Sequence, residues 1–86
     1  MNRKLMTIVL ETLVFLELAG DDIVDPDAAV SQMEGSVATL TRLTPKEKAE
    51  FINFIREYAD EEERQRGRPE RIEFFRSMPD NFGLSD

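Results

Sequence analysis

The chain has 86 residues, enough for one domain and not two, and a chain this short buries only roughly 60% of the surface it exposes when unfolded. Hydrophobic residues make up 41% of it and charged residues 34%, a balance that suits a globular domain rather than a disordered tail. The formal net charge of −7 disfavours nucleic-acid phosphates and anionic membranes as partners and favours basic proteins, while the lack of cysteine excludes disulfides and thiolate metal sites.

The N-terminus opens like a secretory signal, with Asn2-Arg3-Lys4, an apolar run from Leu5, and Ala19-Gly20. Glu11 and Glu17 argue against an export core, which is normally uncharged, and against a membrane span, which needs about 20 apolar residues. The expectation is a cytoplasmic protein whose first segment is a buried helix.

That first helix is expected over about residues 3–19, stopped by Gly20. At 100° per residue its apolar side chains, Leu5, Met6, Ile8, Val9, Leu10, Leu13, Val14, Phe15, Leu16 and Leu18, occupy nearly the whole circumference. Only Lys4, Thr7 and Glu11 mark a polar side, so burial almost all round is expected. Ile8-Val9-Leu10 also reads as a short strand, but length and the lack of a second strand favour helix. Asp25-Pro26-Asp27 starts a second helix, to about residue 43, with Asp25 as cap and Val30, Met33, Val37 and Leu40 as core stripe. Thr44-Pro45-Lys46-Glu47 is a capping box that opens a third helix, over residues 45–66, with Phe51, Ile52, Phe54, Ile55, Tyr58 and Ala59 on its apolar face. Asp60–Arg64 and Glu62–Arg66 are spaced to pair along it, and Gly67 ends it. Pro69 opens a fourth helix to Met78; Pro79 is expected to close it, leaving residues 79–86 as an irregular tail. Short connections favour antiparallel neighbours, so the fold class is all-α, a small bundle of three to four helices around the first.

Histidine is absent as well as cysteine, which removes the commonest general base, metal ligand and nucleophile. Asp21, Asp22, Asp25 and Asp27 form an acidic loop, but a calcium loop counted from Asp21 would need glycine where Pro26 stands and glutamate where Gln32 stands. Capping explains Asp25 and Asp27 better, so no metal and no cofactor are expected. Glu61-Glu62-Glu63 reads as a solvated helix end. Arg64, Arg66, Arg68 and Arg71 form a small basic cluster interleaved with Glu62, Glu63, Glu70 and Glu73, which favours local neutralisation over an anion site.

Two apolar or small surfaces look unspent. The first helix has more apolar circumference than three neighbours readily cover, unless Phe74, Phe75, Phe82 and Leu84 complete the cover. On the second, Ala28, Ser31, Gly35 and Ala38 line the back, where Gly35 costs about 1 kcal/mol of helix propensity. The leading functional expectation is therefore a non-enzymatic protein–protein interaction module. It would contact a basic partner through Asp21, Asp22, Asp25, Asp27, Ser31, Glu34, Gly35 and Ala38, and through the ridge Glu50, Glu57 and Glu61. Small bacterial immunity proteins, antitoxins and regulatory inhibitors share this size and charge. The alternative is a self-assembling structural protein that pairs with a second copy.

Overall fold

The structure is a computed structural model and describes residues 1–85. Four helices follow one another: α1 (Arg3–Leu18), α2 (Pro26–Leu40), α3 (Pro45–Arg64) and α4 (Pro69–Asn81). Among the described residues there is no strand, and Ile8-Val9-Leu10 lies within α1. The fold is an all-α bundle.

Local chemistry sets the helix starts. The Asn2 side chain, a cap that the sequence pattern does not single out, accepts hydrogen bonds from the backbone N–H groups of Lys4 and Leu5 at 2.8 and 3.1 Å. Asp25 accepts from Ala28 at 3.0 Å. At α3 the capping box closes in both directions. The Glu47 N–H donates to Thr44 Oγ1 at 3.1 Å, and the Thr44 N–H donates to Glu47 Oε1 at 2.9 Å.

The ends differ from the sequence expectation. Helix α3 closes in a paired-carbonyl cap: Arg66 N–H donates to Glu63 O, and Gly67 N–H to Glu62 O. The left-handed position falls on Arg66 (φ 55°) rather than on Gly67. Gly67 is needed for space, because a Cβ there would collide with the Glu62 side chain. Pro79 does not end α4. The helix runs on to Asn81 with Pro79 inside it, and Gly83, at φ 68°, makes the same kind of cap. Gly83 N–H donates to Asp80 O and Leu84 N–H to Pro79 O. That cap turns Phe82 and Leu84 into the core, and the burial offsets the backbone bond that Pro79 forfeits. The expected irregular tail thus shrinks to the last few residues, and its final position, 86, lies outside the described residues.

Helices α3 and α4 form the most extensive helix pair and meet in a hairpin. Phe51, Phe54, Ile55 and Ala59 face Phe75 and Met78, and Met6, Leu10, Leu13 and Val14 of α1 lie on this surface. Helix α2 packs against α1 alone.

Two burial expectations are corrected. Helix α1 is buried on one side only: Leu5 is 63% exposed, Ile8 61% and Phe15 51%. The α3–α4 hairpin covers one face, α2 covers a flank, and no further helix remains for the rest. Phe75, Phe82 and Leu84 seal the core and Phe74 packs against it, but all four leave that outer face open. On α2, Val30 is 55% exposed; Met33, Val37 and Leu40 are half-buried, and Ala29 is the buried residue. Urea unfolding distinguishes the two environments. Leu10→Ala is expected to cost about 2–5 kcal/mol, and Val30→Ala to stay within about 0.5 kcal/mol.

Candidate interaction surface

The partly buried polar chemistry of the chain is concentrated at one junction of α1, α3 and α4. Arg71 grips Glu11 with both ends of its guanidinium, Nη1 to Oε1 at 3.2 Å and Nη2 to Oε2 at 2.6 Å. It also reaches Glu62 Oε1 at 3.3 Å and stands over the Phe75 ring, 5.4 Å from its centroid. The Tyr58 hydroxyl donates to Glu11 Oε2 at 2.5 Å. The Arg71 hydrogen bond holds the Glu11 carboxyl below its ordinary value against the opposing effect of burial, and Tyr58 adds to the lowering. Burial, and then the Glu11 carboxylate, push the Tyr58 phenol up to about 12. Every strong partner here is already engaged, so the cluster cross-braces the three helices. Sequence spacing gave no signal for it, because Glu11 and Arg71 are sixty residues apart.

The acidic residues singled out from the sequence divide into two groups. On α3, each has a cation: Glu50 takes the Met1 ammonium at 2.5 Å, Glu57 takes Arg3 at 3.1 Å, and Glu61 takes Arg64. The Met1 ammonium and Arg64 hold the Glu50 and Glu61 carboxyls below their ordinary values. The expected pairs Asp60–Arg64 and Glu62–Arg66 do not form. Asp60 and Glu63 share Arg76 instead, and Glu62 joins Arg71. Three of the four arginines of the basic cluster are locally neutralised, Arg64 on Glu61, Arg68 on Glu70 and Arg71 on Glu11 and Glu62, while Arg66 is in no ion pair among the described residues.

The other group is uncompensated. Residues 5–41 contain seven acids and neither lysine nor arginine, so this segment carries the chain's whole net charge of −7. Glu11 alone of the seven is in an ion pair among the described residues. Glu17, Asp21, Asp22, Asp25, Asp27 and Glu34 are all exposed, on the end of α1, the connection after it, and α2. Ser31, Gly35 and Ala38 are exposed on α2 as well, and a Cβ at Gly35 would meet nothing within 4 Å. Nothing inside the chain therefore requires that glycine. Among the described residues no three acids converge to hold a metal ion, and no helix is long and apolar enough to cross a membrane.

Beside the acidic segment lies an apolar one. Leu5, Ile8, Thr12 and Phe15 recur at three- and four-residue steps along the outer face of α1, with Ile23 exposed beyond its end and Val30 on α2. A further shallow groove runs between Met33 and Val37 of α2 and Phe82. Exposed apolar surface of this extent, with Lys4 at its start and unpaired acids at its finish, is suited to a protein contact. Compared with protein-family models, curated proteins and solved structures, the chain matches none.

The brace sets the pH response. Tyr58 is raised in the folded state, so its contribution is complete below the unfolded phenol value near 10 and is lost as pH climbs toward 12. Glu11 is lowered, so its contribution is present above the ordinary carboxylate value and lost as pH falls through the folded one. Thermal melts are expected to show a flatter alkaline limb for Tyr58→Phe and a flatter acid limb for Glu11→Gln than for the parent.

Proposed function

We propose that the chain is a non-enzymatic protein–protein interaction module that recognises a basic protein surface, as a small immunity, antitoxin or regulatory inhibitor does, and that it acts in the cytoplasm. The observation that carries this reading is the segregation of charge. Six of the seven acids of α3, all but the capping Glu47, have cations within the chain, while six acids of residues 5–41 are exposed without an ion partner among the described residues. A field of one sign on one side of a small domain steers a partner of opposite sign and suppresses like-charged ones. Glu17, Asp21, Asp22, Asp27 and Glu34 supply that field, and Ile23 and Val30 supply apolar contact beside it. The side chains that most often perform catalysis, histidine and cysteine, are missing, and the Tyr58–Glu11–Arg71 cluster is spent on bracing. This supports a binding role over an enzymatic one.

Capture from extracts of the source cells, with the parent chain and an Asp27→Lys/Glu34→Lys variant as baits, tests the reading. A basic partner is expected with the parent and not with the variant. Its association rate is expected to fall by about tenfold or more as salt rises from about 0.05 to 0.5 M. A partner whose binding ignores both salt and the charge reversal would contradict it.

A further inference from the structure

The outer face of α1 calls for an occupant of its own, distinct from whatever meets the acidic side. Leu5, Ile8 and Phe15 are each more than half exposed, with Thr12 between them; Met1 precedes them and Ala19 follows at the helix end. These six positions, 1, 5, 8, 12, 15 and 19, follow the alternating four- and three-residue steps of a heptad seam. The four that lie within α1, Leu5 to Phe15, span about 15 Å of helix, Met1 precedes its N-cap and Ala19 is its C-cap, and none of the six has a charged side chain.

The charges at the two ends say which way a partner helix lies. At the start of the seam stands Lys4, exposed, at the positive end of the α1 dipole. Just past its finish stand Asp21 and Asp22, exposed, with no ion pair among the described residues. A parallel copy would set Lys4 against Lys4 and aspartates against aspartates. A copy turned end for end sets Asp21 and Asp22 of each chain against the Lys4 end of the other, satisfying both ends at once. In that register Leu5 lies opposite Phe15 of the second copy and Ile8 opposite Thr12, with Met1 and Ala19 flanking the two ends of the seam. Glu11, the acid that flanks the seam near its centre, is already held by Arg71 of its own chain.

We infer that α1 pairs antiparallel with α1 of a second copy about a two-fold axis at the level of Leu10, through the seam Met1, Leu5, Ile8, Thr12, Phe15 and Ala19. The inference rests on the protein-interaction reading above but gives this face a different occupant. The pairing is isologous, so each contact occurs twice. It leaves Asp25, Asp27 and Glu34 of both copies facing outward.

The purified 86-residue chain suffices for the test. Light scattering after size exclusion is expected to give twice 9.9 kDa at high concentration and to drift toward 9.9 kDa on dilution. Ile8→Glu and Thr12→Glu, both at exposed positions, are each expected to weaken association about a hundredfold, with the helical circular dichroism unchanged. Because the chain has no native cysteine, Leu5→Cys mixed with Phe15→Cys reports orientation: the mixture is expected to cross-link faster than either variant alone. A monomer at every concentration up to about 1 mM overturns the inference. So does a dimer indifferent to both glutamates, or Leu5→Cys that cross-links with itself as fast as with Phe15→Cys. A monomer that still captures a salt-sensitive basic partner contradicts the pairing alone; a seam dimer whose captured partner ignores salt and charge reversal contradicts the basic-partner reading alone.

Discussion

The structure depends on a shortage of cover. The α3–α4 hairpin presents one apolar surface, built from Phe51, Phe54, Ile55, Phe75 and Met78, and α1 is the helix that lies on it. A helix apolar around most of its circumference can bury only the side it lays down. Fully burying one large apolar side chain is worth about 1.5–3 kcal/mol, so the burial of Met6, Leu10, Leu13 and Val14 is the main attraction holding α1 in place. Leu5, Ile8 and Phe15 keep a comparable unrealised gain. The chain folds without using it, and a second surface can claim it.

Polar contacts decide which side of α1 faces in. Apolar packing alone would tolerate several rotations of so uniformly apolar a helix. Glu11 is gripped by Arg71 and receives the Tyr58 hydroxyl, Arg3 reaches Glu57, and the Met1 ammonium reaches Glu50. The exposed ones among these contacts contribute little energy, since surface ion pairs typically give about 0–1 kcal/mol. Their effect is directional: they lie along one edge of α1 and fix its rotation about its own axis. The arginines at 3, 64, 68, 71 and 76 are taken up by nearby carboxylates, and residues 5–41 supply no lysine or arginine to the six exposed acids from Glu17 to Glu34. Exposed apolar residues and unpaired acids therefore occur together along α1, the connection after it and α2.

Much of the fold was legible in local signals. Asp25, Thr44, Glu47, Pro26, Pro45 and Pro69 mark three helix starts, and the structure has them within a residue. These signals work because a helix terminus must find partners for unpaired backbone groups within a few residues. Ends were less legible. Pro79 reads as a stop, but whether a helix absorbs a proline depends on the residues C-terminal to it, here Gly83 and the buried Phe82 and Leu84. Periodicity on α2 correctly grouped Met33, Val37 and Leu40 on one side, yet Val30 lies at the flank and opens to solvent. The Glu11–Arg71–Tyr58 brace was invisible because its members meet only in three dimensions. The unpaired acids were visible as a loop, but the neutralisation of Glu50, Glu57 and Glu61 needed the fold.

The central claim is that the Leu5–Ile8–Phe15 face is open in the folded single chain and closes only against another molecule. Methyl NMR of Leu5, Ile8 and Leu10 with a soluble paramagnetic probe, read from high dilution to high concentration, tests it most directly. The account predicts that Leu10 is protected throughout, while Leu5 and Ile8 are strongly broadened by the probe at high dilution and become protected as concentration rises. Protection of Leu5 and Ile8 at the highest dilution would contradict it, because the chain would then be covering that face by itself.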